Sequence, residues 1–320
     1  MTKMSQTTMI SAGIDIAKEK LDVAVDGNKQ RWVMSNDPAG FLQLARLLRT
    51  HKVTRVGLEA TGGYERHVTQ YLRKAGFTVL VLQPRQVRAY AEALLRHAKN
   101  DRIDAGTIAS FTALLKIARD APDPRYQPLA DLLTFIEQIE EDTARIKVRL
   151  EHVEDAAYRR IMEADIKRLK LRRTRMVKKL DTALRCHDDI AKRLDLVITI
   201  DGVGHRTALA FIIRMPELGC LTREQAAALA GVAPFDDDTG KHRGERHIWG
   251  GRARLRSSVY AATLPAAFQW NSQLIALYKR LIAAGKPHKV ALVACTRKLV
   301  IFANTVLARG TPWTKSAPTI

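Results

Sequence analysis

The feature that most limits the fold of this chain is a long run without helix breakers. No glycine or proline occurs from Leu129 to Asp201. Apolar residues recur there at alternating spacings of four and three, which is typical of a heptad seam. The seam consists of Leu132, Ile136, Ile139, Thr143, Ile146, Leu150, Val153 and Ala157. This stretch therefore predicts long helices packed along a continuous apolar stripe.

A second apolar seam follows in a different register, and it consists of Met162, Ile166, Leu169, Met176 and Leu180. The shift near 158–162 predicts either two helices folded against each other or one long helix with a stutter. A helical hairpin inside one chain would satisfy the pattern, but its regularity favours a coiled coil with a second chain. Residues 159–179 carry ten Lys or Arg and two acids. They form either a solvated helix face or a helix that contacts phosphates.

The segments on either side have other patterns. Residues 9–120 predict three short strands, a helix opened by Asp37 and Pro38, and then alternating buried strands and helices, which indicates a mixed sheet with helices on its faces. The proline-rich stretch at 120–128 marks a boundary. The sequence therefore predicts an α/β domain at 1–120, a coiled-coil dimerisation region at 121–190 and a mostly helical domain at 191–320.

The helical domain contains the turn "DGVGH". It resembles a helix-hairpin-helix, in which backbone N–H groups, here those around Gly202 and Gly204, meet a phosphate at the start of the next helix. Many tight helix turns use glycine, so this motif alone is weakly specific.

The net charge limits the class of partner. The chain has 53 Lys and Arg against 33 Asp and Glu, a formal charge of +20. Such a field attracts polyanions, with nucleic acid the first candidate and an anionic membrane surface the second. No uninterrupted apolar run approaches the length of a membrane span, and no signal peptide is predicted. Three widely spaced cysteines form neither a zinc pattern nor a disulfide framework, which fits a reducing cytoplasm.

Four carboxylates stand out against this basic background: Asp15, Glu59, Asp101 and Asp104. Asp15 lies within an apolar strand, where an unpaired charge is costly, and this favours a functional role. Asp101 and Asp104 are three residues apart at a helix start, so both can face one way. Together they could bind two hard cations such as Mg²⁺, as in phosphodiester chemistry. Taken singly, Glu59 could neighbour a helix cap and Asp101 could cap a helix.

These residues also carry a resemblance. The set resembles the RNase H-like fold of Holliday-junction resolvases. "GIDIAK", "LEATGGYE" and "KNDRIDA", followed by "IDGVGHRTALAFI", "LAGVAPF" and "RGERHIWGGRARLRSSVYAATL", are similar to the DEDD transposases of bacterial insertion sequences, the bridge-RNA-guided recombinases. The resemblance covers nearly the whole chain. It implies a RuvC-like N-terminal domain, a coiled-coil dimerisation region, a C-terminal transposase domain, and a guide RNA that pairs with donor and target DNA.

The resemblance also implies a role for "DDDTGKHRG". In that family a serine before this glycine attacks DNA and forms a covalent link, activated by the four carboxylates and Mg²⁺ of another subunit. The matching position here is Thr239. A threonine hydroxyl is a possible nucleophile, but its extra methyl stiffens the side chain. Thr239 is therefore a working substitute, a slowed one or an inactivating change.

Basic residues surround this position and are predicted to hold DNA or RNA phosphates: Lys241, Arg243, Arg246, Arg252, Arg254 and Arg256. The neighbouring acids are expected to cap a turn or to pair with these arginines. Trp249 and Trp270 are expected in the core. The resulting prediction is an RNA-guided DNA recombinase, a dimer assembling to a tetramer in the bacterial cytoplasm. The alternatives are a metal-dependent junction nuclease without a covalent intermediate and a non-catalytic nucleic-acid-binding remnant of a transposase.

Overall fold

The computed structural model describes residues 9–94, 101–115, 122–236, 238–239, 242–244 and 246–314, with the backbone alone at 101–104, 238–239 and 242–243. The chain divides into two compact units, Met1–Pro122 and Asp123–Ile320. The first unit holds a mixed sheet and the second is mostly helical, which confirms the predicted fold class. The coiled-coil dimerisation role of 121–190 stays a prediction.

The sheet of the first unit has the strand order β3-β2-β1-β4-β5. Its strands are β1 (Ile10–Ile16), β2 (Lys20–Val25), β3 (Arg31–Ser35), β4 (Val53–Glu59) and β5 (Thr78–Leu82). The first three strands pair antiparallel, whereas β4 and β5 run parallel to β1. This arrangement is the mixed sheet that the sequence predicts, with three short strands first and two buried strands after them.

Alternation along the strands gives the sheet two different faces. Ile14, Val23 and Leu58 point to one face and form a core with residues of α1 (Pro38–Thr50) and α2 (Glu65–Lys74). Asp37 caps α1 by accepting a hydrogen bond from the Gly40 N–H at 2.8 Å. That bond, with a further one from Ser35, lowers the pKa of Asp37. The sequence prediction for this helix start is confirmed.

The other face of the sheet is covered by a helix that comes very close to the strands. After α3 (Pro84–Ala93), α4 (Asp101–Leu114) lies against β1, β2 and β4. A Cβ atom at Gly13 would lie 2.2 Å from the Ala109 nitrogen, and one at Gly57 would lie 1.8 Å from the Thr112 hydroxyl. Glycine is therefore required at both positions for α4 to reach the sheet.

The second unit begins with a helical hairpin. α5 (Tyr126–Leu150) and α6 (Ala156–Arg185) pack against each other within the chain. The predicted break at 158–162 is several residues too late, because Asp155 caps α6 by accepting from the N–H groups of Ala157 and Tyr158. The turn contains neither Gly nor Pro, so this carboxylate was its main sequence signal. Ile136 and Leu180, one from each seam, are fully buried.

The remaining helices surround a second core. They are α7 (Asp188–Ile198), α8 (His205–Arg214), α9 (Arg223–Ala230), α10 (Ala253–Pro265), α11 (Ser272–Ala283) and α12 (His288–Arg309), with a π-helical turn at Ala266–Trp270. α12 is long and apolar enough to span a membrane by length and composition, but 56% of its most apolar window is buried inside the protein. It packs against α7, α9, α10 and α11 and is the central helix of this unit.

The prediction that Trp249 and Trp270 lie in the core is wrong, because their exposed fractions are 54% and 63%. Trp270 ends the π-helical turn directly before Asn271, which is only 1% exposed and caps α11 by accepting from the Leu274 N–H. The asparagine takes the inward position, so the tryptophan projects into solvent.

Candidate active site

Two of the predicted carboxylates lie at one edge of the sheet. β1 and β4 are parallel neighbours in which Ile14 is paired with Leu58. Asp15 and Glu59 each follow that pair by one residue, so they share the carboxyl end of the sheet and the same face. Both are half-buried. The structure thus brings together two carboxylates that are 44 residues apart in sequence, as the numbering shows.

The first turn of α4 lies at the same level. Gly13 is in contact with Ala105 and Ala109. Arg55, two residues before Gly57 on β4, donates to the carbonyl oxygens of Thr112 and Leu115 at the end of α4, so α4 runs antiparallel to these strands. Asp15 is two residues beyond Gly13, or about 6.6 Å along the strand, and four helical residues rise about 6 Å. The level of Asp15 along the sheet therefore corresponds to a point about four residues before Ala105 on α4, which is the first turn of the helix, where the backbone of Asp101 and Asp104 lies. Convergence of the four carboxylates stays a prediction, because the side chains at 101–104 are outside the described set.

The donor set suits a hard divalent cation. Asp15 and Glu59 offer only oxygen ligands, partly accessible to solvent, and phosphate or water would complete a Mg²⁺ coordination shell. Asp22 stands directly opposite Asp15 on β2, but it is 6% exposed and paired with Lys20 at 3.1 Å. Among the side chains that are described, no three His, Cys, Asp or Glu groups form a metal site by themselves.

The turn after Glu59 is built by a second glutamate, which the sequence reasoning missed. The Glu65 carboxylate accepts from the N–H groups of Thr61 at 3.1 Å and Gly63 at 2.8 Å. Burial alone would raise the pKa of Glu65, but these backbone hydrogen bonds outweigh it and lower the pKa. Gly62 and Gly63 have φ angles of 74° and 122°, a region that favours glycine. The motif "TGGYE" thus fixes the backbone that leaves Glu59.

Asn36 is another residue that the sequence reasoning missed. Its side-chain amide donates to the carbonyl oxygens of Ala17 at 3.0 Å and Tyr64 at 3.3 Å. Ala17 directly follows β1 and Tyr64 precedes α2, so Asn36 connects the two segments that follow the strands of Asp15 and Glu59. An Asn-Asp-Pro stretch before a helix usually signals only a cap, and local sequence offered no sign of this contact between distant segments.

The stretch around Thr239 is a β-hairpin in two tiers. The outer tier pairs β6 (Pro234–Phe235) with β9 (His247–Ile248), and the inner tier pairs β7 (Asp238–Thr239) with β8 (His242–Arg243). Thr239 is paired with His242, so it stands at the end of the inner tier. Gly240 and Lys241, which join these residues, lie outside the described residues, as do the side chains of Thr239 and Arg243.

The base of the hairpin is held firmly. One nitrogen of Arg256 donates to the carbonyl oxygens of Gly231 at 3.2 Å and Gly250 at 2.7 Å. A Cβ atom at Gly251 would lie 2.3 Å from the Gly231 nitrogen, so only glycine permits this approach. Higher up, Arg246 and Asp236 form an ion pair of 2.5 Å. The expectation that an acid of this stretch pairs with an arginine is confirmed for Asp236.

The arginines after the hairpin also contact protein groups. Arg252 forms two hydrogen bonds to Glu217, at 2.8 and 2.6 Å, and Arg254 donates to Glu137 at 2.8 Å. Glu137 is 8% exposed and also accepts from Arg214 at 2.7 Å. It thereby joins α5, α8 and the first turn of α10. The phosphate-binding role of these arginines stays a prediction.

The two glycines of the "DGVGH" turn have different surroundings. Gly202 has a φ of 90°, and a Cβ atom there would lie 2.3 Å from the Ala266 Cβ, so packing accounts for this glycine. Gly204 caps α8 and has open space around its Cα. The predicted phosphate contact therefore has room at Gly204, where the N–H groups of a helix start face outward.

Comparisons with known proteins cover both halves of this arrangement. A family model described as a transposase, DEDD_Tnp_IS110, matches residues 12–158, and a model of the transposase IS116/IS110/IS902 family matches residues 194–279. The chain is similar to the pilin gene-inverting proteins of Moraxella bovis and Moraxella lacunata, each 24% identical over 318 residues, 95% of this chain and 97% of the relative. A search of solved structures finds T. thermophilus RuvC in complex with a Holliday junction substrate, 18% identical, covering 32% of this chain and 90% of that chain, with a TM-score of 0.26.

Proposed function

Because the chain belongs to the IS116/IS110/IS902 family of transposases, we propose that it cuts and rejoins two DNA duplexes by a divalent-metal-dependent reaction with a covalent protein–DNA intermediate. The observation that carries this proposal is the placement of Asp15 and Glu59 at one edge of the sheet, with the first turn of α4 at their level. Carboxylates are poor proton donors, so a role in binding cations suits them better than a role in general acid catalysis.

In this proposal Asp15, Glu59, Asp101 and Asp104 bind Mg²⁺, two ions to a site. The metal, when bound, lowers the pKa of a nearby hydroxyl and neutralises charge on the reacting phosphate. The residues of the chain position the groups: Glu65 and Asn36 fix the backbone around the two strand ends, and the close approach of α4 brings its first turn to them.

Thr239 is the proposed nucleophile. Its hydroxyl oxygen forms a bond to the DNA phosphorus, the bond to a sugar oxygen breaks, and the hydroxyl proton ends on that departing oxygen. One phosphodiester is thus exchanged for a phosphothreonine ester, and attack by a sugar hydroxyl of the second duplex restores Thr239. The hairpin supports this role because it presents Thr239 beyond a clamped base.

The finer features of the proposal concern partners. Donor and target DNA bind the basic surface, and a structured guide RNA supplies sequence specificity by base pairing, a division of labour known from other guided systems. A homodimer that assembles to a homotetramer brings the carboxylates of one subunit to the hairpin of another. The formal charge of +20 supports two or more polyanionic partners.

A covalent-trap experiment tests the chemistry. The protein is mixed with its flanking non-coding RNA, labelled donor and target DNA, and Mg²⁺, and the products are separated on denaturing gels. We expect an adduct with the wild-type protein that Thr239→Ala removes and Thr239→Ser retains. An adduct with Thr239→Ser alone would mean that threonine disables an otherwise intact enzyme.

A second pair of variants tests the metal site. Asp15→Ala should abolish cleavage and leave RNA binding unchanged, whereas Asp131→Ala, at an exposed position of α5, serves as a control that retains both. Unchanged cleavage by Asp15→Ala would contradict the metal assignment. DNA cut without an adduct in every variant would favour a hydrolytic junction nuclease, and binding without metal-dependent cutting would favour a non-catalytic remnant.

A further inference from the structure

The last part of the chain contains basic residues and no acidic ones. Residues 246–320 contain twelve Lys or Arg and no Asp or Glu. Arg246, Arg252 and Arg254 are paired with acids from earlier in the chain. The remaining basic residues have no carboxylate within the segment to neutralise them, so their field favours an anionic partner. The exposed aromatic side chains in this segment therefore stand in a setting that attracts phosphates.

Three rings from this segment meet at the surface, and they are called the aromatic cluster here: Phe268, Tyr278 and His288. They come from the π-helical turn, from α11 and from the start of α12. The centroids of Phe268 and Tyr278 are 5.0 Å apart, and those of Tyr278 and His288 are 5.7 Å apart. The Tyr278 hydroxyl is 2.7 Å from Nδ1 of His288. The cluster is thus held in place by ring contacts and a hydrogen bond.

The geometry leaves two flat rings open to solvent. Phe268 and His288 are nearly parallel, at 4°, whereas Tyr278 meets both edge-on, at 82° and 87°. Phe268 is 47% exposed, and His288 is exposed as well. Phe268 and His288 are stacked at a centroid distance of 6.3 Å, Tyr278 stands perpendicular to both, and the exposure of the two parallel rings leaves part of their surface accessible. Fixed, exposed ring faces lose little conformational entropy when a flat ligand stacks on them.

Positive charge flanks the rings in sequence. Lys279 follows Tyr278, while Lys286 and Lys289 lie on either side of His288, and all three are exposed. Within the described ranges of the chain, none of these lysines forms an ion pair with a carboxylate. The π-helical turn that carries Phe268 is a rare conformation and one that is frequent at functional sites.

We propose that the aromatic cluster is a stacking site for an unpaired nucleobase, with Lys279, Lys286 and Lys289 contacting the phosphates on either side. Single-stranded RNA and DNA share this chemistry: every base has a π-face, and aromatic platforms beside cations are how proteins bind single strands. The proposal goes beyond the recombinase reaction and needs only that the chain binds nucleic acid, whether or not it cuts DNA.

The test measures binding of the full-length protein to fluorescein-labelled oligonucleotides by anisotropy. Oligomers of uridine, oligomers of thymidine and an abasic oligomer of the same length distinguish RNA, DNA and phosphate alone. Phe268→Ala should weaken binding of the base-containing oligomers by about fivefold to 150-fold, the effect of one stacked base. Binding of the abasic oligomer, and the slope of affinity against salt concentration, should not change.

The controls separate stacking from loss of structure. Phe268→Tyr keeps a flat ring and should retain wild-type affinity, and Phe135→Ala removes a comparably exposed ring, 42%, from α5 and should have no effect. Lys286→Gln with Lys289→Gln should lower the salt slope for every oligomer. Equal loss of affinity for abasic and base-containing oligomers in Phe268→Ala would overturn the proposal. So would an unchanged base preference with a changed mass in light scattering, which would make this face a contact between copies.

Discussion

Replacing Glu137 by glutamine should strongly destabilise the second unit. The carboxylate is 8% exposed and accepts from Arg214 at 2.7 Å and Arg254 at 2.8 Å, with Arg206 at 3.7 Å. Both short hydrogen bonds end on the same oxygen, Oε2, so a glutamine carbonyl can keep them only by turning its amide group toward Arg206. In either case the guanidinium groups of Arg206 and Arg214, 19% and 17% exposed, lose the charge of this buried carboxylate. Breaking a buried ion pair costs about 3–5 kcal/mol, because the remaining charge stays desolvated.

Urea denaturation followed by circular dichroism measures this loss. The matched control is Glu140→Gln, one turn along α5, whose side chain is 32% exposed and is paired with Arg173 and Arg206. A pair exposed to this degree contributes about 0–1 kcal/mol. The midpoint of Glu137→Gln should fall by on the order of 1–2 M urea, and that of Glu140→Gln by much less. Equal midpoints for the two variants would refute the reasoning that burial makes Glu137 the central group.

Three further changes have expected outcomes. Gly13→Ala should destabilise the first unit by about 1–3 kcal/mol or more in urea denaturation, and reduce DNA cleavage, because the new Cβ meets the backbone of α4 2.2 Å away. The pKa of Glu65 is lower in the folded protein than in the unfolded chain, so its ionised form stabilises the fold at pH values above the unfolded pKa, and this stability is lost as the pH falls through the folded pKa. Glu65→Gln should thus be less stable than wild type at pH 7 and should lose less stability on acidification. Leu180→Ala should cost about 2–5 kcal/mol, since Leu180 is fully buried between the hairpin helices and the core. Wild-type stability of Gly13→Ala would contradict the first argument. A stability of Glu65→Gln that depends on pH as the wild type does would contradict the second. A smaller loss of stability in Leu180→Ala than in Leu171→Ala, which changes an exposed leucine, would contradict the third.

Local patterning in the sequence predicts most of the elements. Period-two alternation and apolar runs locate the five strands of the sheet, and Asp37 with Pro38 marks the start of α1. These signals are short-range: a strand face or a helix cap is determined by residues a few positions apart.

Contacts between distant segments are what the sequence could not predict. The phosphate-binding role of Arg254 stays a prediction, and its hydrogen bond to Glu137, 117 residues away in the chain, had no local sequence signal. Trp270 reads as core by residue type, and it is exposed because Asn271 occupies the inward position. The turn of the α5–α6 hairpin contains no glycine or proline, so its place was set by one capping aspartate. For Arg254 and Trp270 a contact between distant segments decides the outcome, the latter through the bond from Asn271 to the carbonyl oxygen of Asp201, whereas the hairpin turn has a local signal that a single residue carries.

Arg256 fixes the base of the β-hairpin, so the position of Thr239 depends on the number of residues between the two tiers and on whether that number is odd or even. Thr239 is four positions beyond Phe235 in sequence, so its Cα lies at most about 13–14 Å from that of Phe235. Adding one residue between the tiers would turn Thr239 to the opposite face of the ribbon, whereas adding two would restore the face but extend the arm. Under the proposed role of Thr239 as nucleophile, the length of the hairpin must match the distance between its clamped base and the phosphate that is attacked.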